Sequence, residues 1–539
     1  AVTWDGSEDS DWATAANWGG GSVPSSTDNV VIANAGTAPT ITTDITVNDL
    51  TIESSATLTV NGDGSLTVDG NLTVDGTSTL TVNSDATTNG SMIVKGTSTG
   101  NFTYNRYASY SAASAQGWHL MSAPVTGETE DDIITNGSLL TNGSSLKSMA
   151  TYDNSYTGAT GWTYLSGSAS GSLTSGKAYS MKSSAATVPF TGAMKTDNLS
   201  NYAISVGTQN SWNMIGNPYP SFIAVNTAAD ATNNFMTNVG ELDGSFAAVY
   251  VWNSSDLSYD VINNASGARY IAPGQGFFVH SKAGGGSINI TEDMLSHQSG
   301  DLFLKGASSI PQITLTISDG TATKKTDIKY IAGTTTGLDV GYDAGVFTGA
   351  SSSFNVFSHL VSDSTGVDFT LQCLPTDNYE NMIIPIGLKA SSGTQVIFTL
   401  EGLNLPTGIN VYLEDKASNT LTRLDEENTK YTVTLDAAQS TVGRFYLRTT
   451  STTLSLDTDV LNDVNVYTVK GNTLRIVGLQ NENAVLEVYN LLGKQVVNKK
   501  LTATSGVQEI PLSTRVSNGI YIVKLSTEKR TINKKIIIN

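Results

Sequence analysis

The sequence predicts an all-β chain of several modules, on three observations: short apolar-polar-apolar triplets in the first hundred residues, an internal duplication across residues 101–300, and longer alternating strands beyond it. With 539 residues, three or four domains are expected at roughly 150 residues each. Only 14% of residues are charged, while 39% are hydrophobic and recur in short runs, which argues against disorder and leaves solubility mainly to neutral polar side chains. Lys+Arg 29 against Asp+Glu 48 leaves a net charge of −19, which argues against a nucleic-acid partner, because phosphate neutralisation needs clustered Lys and Arg.

The first element is a β-solenoid-like region over 1–100. Leu50-Thr51-Ile52, Leu58-Thr59-Val60, Leu66-Thr67-Val68, Leu72-Thr73-Val74 and Leu80-Thr81-Val82 alternate around turns such as Asn61-Gly62-Asp63-Gly64. Leu58 and Leu72, and again Leu66 and Leu80, suggest a 14-residue coil; a β-meander is the competing arrangement.

Next come two copies of one β-rich unit, over 101–205 and 206–300. Trp118-His119-Leu120-Met121-Ser122-Ala123-Pro124 matches Trp212-Asn213-Met214-Ile215-Gly216-Asn217-Pro218. Ala150-Thr151-Tyr152-Asp153-Asn154 matches Tyr250-Val251-Trp252-Asn253-Ser254, and Gly176-Lys177-Ala178-Tyr179 matches Gly274-Gln275-Gly276-Phe277. The repeated Trp118 and Trp212 read as two equivalent core anchors.

A β-sandwich is expected over 301–450, from strands such as Ile313–Ile317, Gln395–Leu400 and Arg444–Arg448. Thr449-Thr450-Ser451-Thr452-Thr453 reads as a linker, placed at 451–458, before a last unit at 459–539. Residues 451–539 hold 11 Lys+Arg and 7 Asp+Glu, a net of +4, against −23 upstream. The tail is therefore chemically distinct, and its strand spacing fits a compact Ig-like β-sandwich.

Three tail elements, Val488-Tyr489-Asn490-Leu491-Leu492-Gly493-Lys494, Ser517-Asn518-Gly519-Ile520-Tyr521-Ile522-Val523-Lys524 and Lys534-Lys535-Ile536-Ile537-Ile538-Asn539, stand in that order. They resemble the type A C-terminal sorting domain of the Bacteroidota type IX secretion system. The resemblance implies sorting-signal residues Tyr489, Leu492, Gly493, Lys494, Asn518, Gly519, Tyr521, Lys534 and Lys535. It also implies export to the periplasm, passage through the outer-membrane translocon, an outer-membrane shuttle protein, and a surface sorting peptidase. Physically, Gly493 and Asn518-Gly519 suit positive-φ turns, and Lys534-Lys535 set charge beside an adhesive apolar strand. Upstream, Trp4-Asp5-Gly6, Gly-Asn-Pro-Tyr and Pro-Gly-Gln-Gly-Phe-Phe look like modules of flavobacterial adhesin-like surface proteins.

Signals for chemistry are weak. Gly96-Thr97-Ser98-Thr99-Gly100 fits Gly-x-Ser-x-Gly, but a nucleophile elbow needs a helix after it, and Asn101–Asn105 reads as a strand. The four His, His119, His280, His297 and His359, have no sequence partner suggesting a triad or metal site, and the counterpart of His280 is read as an apolar or Ser position. Cys373, the single Cys, excludes an internal disulfide and reads as a small apolar filler on a strand. Asp5, Glu8, Asp9, Asp11, Asp63 and Glu128–Asp132 offer hard oxygen ligands to calcium, but lack EF-hand spacing and read as solvated acidic turns. No other cofactor is expected. Asp363-Ser364-Thr365 matches a short O-glycosylation tripeptide.

No apolar run is long enough for a transmembrane helix, and the first residues lack a signal-peptide pattern, so a signal has been removed or was not included. The expectation is a non-enzymatic, modular secreted or cell-surface protein of adhesin-like or structural type, with a glycan or surface ligand as a further partner. The alternative is a carbohydrate-active enzyme or glycan-binding protein exported by the same route, its site assembled from distant loops.

Overall fold

The computed structural model describes residues 1–298 apart from 114, 159 and 255–256; 309–451 apart from 350–351, 365, 378 and 381; and 465–538 apart from 470–472, 478, 480–482, 491, 503–506, 513–515, 517–518 and 528–530. The chain divides into two compact units, Ala1–Ser308 and Ser309–Asn539.

The first hundred residues form a three-faced parallel solenoid. One face stacks Val2–Trp4, Val30–Ile32, Leu50–Ile52, Leu72–Val74 and Ser98–Thr99. A second stacks Asp44–Val47, Ser65–Val68 and Ser91–Val94; the third stacks Thr40–Ile41, Thr57–Val60, Thr79–Asn83 and Asn101–Tyr107. Every pairing among them is parallel, which rules out the meander. The 14-residue period is corrected: Leu58 stacks on Leu80 and Leu50 on Leu72, and the Asn61, Asn83, Asn105 ladder advances 22 residues per coil. Leu58 and Leu72 lie on different faces, and because all three faces use the same triplet, the nearest similar triplet is not the stacked one. Leu50, Leu58, Leu66, Leu72 and Leu80 fill the interior. At the first coil Trp18 packs edge-on against Trp4 at 4.9 Å and Trp12 at 4.7 Å, all three fully buried.

The duplication is real in three dimensions. In the first copy the sheet order is His119–Ser122, Ala178–Met181, Leu146–Tyr152, Trp162–Ser166; in the second it is Trp212–Gly216, Gly276–His280, Val249–Asn253, Ser258–Ile262. Each order is first, fourth, second, third along the chain. A flanking pair repeats too: Tyr104 faces Phe190 where Tyr202 faces Ile288. The copies join about a pseudo-two-fold axis. The Ser122 N–H donates to Gly274 O at 2.8 Å and the Gly216 N–H to Gly176 O at 2.9 Å, and Met121 bridges Gln275 as Ile215 bridges Lys177.

The two Trp anchors are not equivalent. Trp212 is fully buried among Phe246, Tyr250 and His280, whereas Trp118 is half-buried beside Tyr164. By the alignment that pairs Gly176 with Gly274, the first copy has Lys182 in place of His280, not an apolar or Ser residue, and Ala150 in place of Tyr250. The aromatic nest around the first Trp is therefore missing.

The sandwich is built from one continuous sheet of eleven strands that folds over on itself. Phe398, near one end of the strand order, packs on Phe445, near the other, at 4.9 Å, and Tyr431 Oη donates to Asp415 Oδ2 at 2.9 Å. Cys373 is buried on the strand Phe369–Leu374, as expected. Thr449 and Thr450 are corrected from linker to strand: they pair with Val411 and Asn410 and are buried. Residues 452–458 lie outside the described residues.

Candidate functional site

The tail has its own core, built on Val466, Leu474, Ile476, Leu486, Val488, Val523 and Leu525, between two sheets. One sheet holds Asn465–Val469, Thr473–Val477 and Val507–Pro511. The other runs Gln495–Thr502, Asn483–Asn490, Gly519–Thr527, Thr531–Ile538.

The predicted sorting residues divide by face. Directly opposed residues in adjacent strands share a face, and Tyr489 stands opposite Gln495 and Ile522, with Ile522 opposite Lys535. That row, Gln495, Tyr489, Ile522, Lys535, crosses the outer face of the four-stranded sheet. Behind it Glu487 pairs with Lys524 at 3.4 Å. The Tyr489 hydroxyl donates to the Glu487 carboxylate, which lowers the carboxyl pKa and raises the phenol.

Beside this row the Asn490–Lys494 turn projects Leu492, 92% exposed. Gly493 takes φ +78°, and its N–H donates to Asn490 O at 2.9 Å. Asn490 holds the turn: its Oδ1 accepts from the N–H groups of Leu492 at 3.0 Å and Lys494 at 2.9 Å. Sequence reasoning quoted Asn490 but gave it no role, although an Asn two to four residues before a positive-φ Gly is the signature of such a side-chain-held turn.

Tyr521 and Lys534 go to the inner face. Tyr521 is 6% exposed and stands opposite Ile536. Lys534 stands opposite the buried Val523, and burial lowers its ammonium pKa, partly offset by Asp363. An inward-pointing lysine on an edge strand disfavours pairing with a further strand. Gly519 opens its strand opposite Ile538, and Asn518 lies outside the described residues.

Elsewhere the candidate chemistry serves structure. Ser98 sits in a strand paired to Leu72, and a strand follows it instead of a helix. A Cβ on Gly100, at φ +84°, would lie 2.0 Å from Val74 O, so close coil stacking explains that glycine. His119 Nε2 hydrogen-bonds Ser109, while His280 stacks on Phe246 at 4.5 Å. His359 Nε2 lies 3.0 Å from Asp368 Oδ1, and its Nδ1 3.1 Å from Ser364 O.

His297 finds partners that no sequence window could reveal. One ring nitrogen meets Ser91 Oγ at 2.5 Å and the other Thr67 Oγ1 at 2.8 Å, 206 and 230 residues away. Burial pushes its pKa down to about 4, opposed by Asp44. Ser91 is fully buried, so a substrate cannot reach it, and the constellation is a staple onto the solenoid.

Several of the acidic candidates are spent on turns: Asp5 accepts from the Ser7 N–H, Asp9 from Asn17 and Asp11, Asp11 from the Ala13 N–H, and Asp132 closes a capping box with Thr129. Among the described residues no three His, Cys, Asp or Glu converge as metal ligands, and no helix is long and apolar enough to cross a membrane.

Residues 472–539 match the family model described as a secretion system C-terminal sorting domain. Together with the geometry of the tail this defines the class: the chain is a cargo of the type IX secretion system, taken across the outer membrane to the cell surface or beyond by its machinery and sorting peptidase. Residues 3–448 match the model described as "Domain of unknown function (DUF8693)", and the chain belongs to that family.

No curated protein matches the chain. Among solved structures, a two fibronectin type-III domain segment from chicken tenascin is 9% identical, covering 28% of this chain and 94% of that chain at a TM-score of 0.12. Dimeric latent PorU from Porphyromonas gingivalis is 12% identical, covering 46% and 30% at 0.15. The BSP domain of a biofilm-associated protein is 8% identical, covering 80% and 98% at 0.16. At these scores the likenesses carry no argument.

Proposed function

We propose that the chain is a non-enzymatic display protein of adhesin-like or structural type, whose solenoid and duplicated modules are the displayed part and whose tail is the address. The observation that carries this reading is the division of labour among side chains. Upstream, polar and titratable groups such as the half-buried His297 and the exposed Asp9 and Asp132 are engaged in turns and staples. In the tail, a row of mixed aromatic, apolar and cationic residues and the exposed Leu492 share the outer face of one sheet.

Recognition by the shuttle protein is assigned to that outer face: Tyr489, Ile522 and Lys535 with the Leu492–Lys494 tip. Tyr521 and Lys534 act from inside, by holding the strands and guarding the edge. Deleting residues 459–539 is expected to leave the Ala1–Ser308 unit folded but retained within the cell envelope. Fractionation and protease resistance check this, and normal surface delivery of the truncated chain would overturn it.

A further inference from the structure

The pseudo-two-fold seam creates two equivalent positions, and only one is open. On one side a cavity of about 300 Å³ is lined by Tyr152, Asp153, Lys177, Tyr202, Ser205 and Asn213, among others. This is at the low end of small-molecule pockets, roughly 300–1,000 Å³. Under the duplication, Lys177 corresponds to Gln275 and Tyr202 to Tyr104.

The counterparts are satisfied. Tyr104 is fully buried and its hydroxyl donates to Gly90 O at 2.9 Å; Gln275 is 6% exposed and its Oε1 accepts from the Ala272 N–H at 2.9 Å. On the open side, Lys177 Nζ and Tyr202 Oη have no hydrogen-bond partner or carboxylate within ion-pair range among the described residues. The ammonium sits over the Tyr179 ring at 5.0 Å. Both side chains are half-buried, so the two donors meet solvent at the cavity and are available to a ligand.

The rest of the lining indicates what kind of ligand. The half-buried Tyr152 supplies an aromatic wall, fixed edge-on by Trp162 at 5.3 Å and Phe278 at 4.9 Å, with its hydroxyl held by Asn210. Asp153, Ser205 and Asn213 form a polar rim. A cation, a phenol donor, an aromatic wall and a rim of hydroxyl and carboxylate groups suit a ring that is apolar on one side, rich in hydroxyls and anionic at one corner.

We propose that this cavity binds one carboxylate-bearing pyranose unit of a polysaccharide, with Lys177 and Tyr202 on the carboxylate and Tyr152 against the ring. The inference rests on the display reading and names its ligand class.

The test is calorimetric titration of the full chain with tri-galacturonic acid, maltotriose and acetate, on the unaltered protein and on Lys177→Gln and Tyr202→Phe. The expected result is saturable binding of the acidic trisaccharide alone, weakened about tenfold by Lys177→Gln, by less in Tyr202→Phe, and by added salt. Thermal unfolding of each variant near that of the unaltered protein shows that the loss is local, and Lys177→Arg retains binding. No saturable binding, equal binding of maltotriose, acetate binding as tight as the trisaccharide, or affinity indifferent to both substitutions would overturn the proposal. Surface delivery of Lys177→Gln at the normal level separates failure of this site from failure of the display reading.

Discussion

Two titratable groups, the buried Glu128 and the half-buried His297, give the chain opposite responses to acid, and each can be isolated by one substitution. Glu128 is 3% exposed, and burial pushes its carboxyl up to about 8 while the Thr191 N–H pulls the other way. A carboxyl raised in the folded state contributes stability that is present below its unfolded pKa and lost as pH rises through the folded value. Glu128→Gln keeps an acceptor for Thr191 and does not titrate. It is expected to be near neutral at pH 4.5 and stabilising by roughly 4 kcal/mol at pH 7.5, read from denaturant midpoints; an equal shift at both values would contradict the assignment. His297 runs the other way. Its folded pKa of about 4 lies below the ordinary value, so stability falls as pH drops through about 6.5 and levels off below 4. His297→Gln should flatten that acid limb.

Coil stacking and turn geometry set the predictions for single elements. Gly100→Ala would place a methyl 2.0 Å from Val74 O at a positive φ, and should cost upwards of about 2 kcal/mol or prevent folding. A loss below 0.5 kcal/mol would show that the last coils are looser than described. In the tail, Leu492→Asp changes a side chain that is 92% exposed, so its effect on unfolding should stay within about 0.5 kcal/mol while surface delivery drops severalfold. Unchanged delivery would remove the turn tip from the recognition face. The turn, the strands and the edge lysines were legible in the tail sequence because each depends on local rules of alternation and glycine placement. The solenoid type was legible for the same reason. Its period was not, since stacking joins residues 22 apart through identical triplets on three faces, and sequence similarity does not mark which face a triplet occupies.

Across the whole molecule, what stayed hidden is what depends on contacts between distant segments. The Trp118 and Trp212 motifs announce a duplication, but the difference between a half-buried and a fully buried ring comes from Phe246, Tyr250 and His280, which only the second copy has. The open and sealed sides of the seam differ in the same way. In the unit Ser309–Asn539, the sorting domain has its own core, yet the three-stranded sheet bearing Tyr467 and Arg475 lies beside Tyr446, which is only 7% exposed. The domain thus has one face toward its neighbour in the chain, while the row of Tyr489, Ile522 and Lys535 lies on its other sheet.

Fusion of residues 459–539 to a passive fluorescent protein in a bacterium with a working type IX system tests this most directly. The fluorescent cargo should reach the cell surface or the medium, and fusion with Tyr489, Leu492 and Lys535 all changed to Asp should stay in the periplasm. Retention of the unaltered fusion in the envelope would contradict the claim that the tail is sufficient as an address.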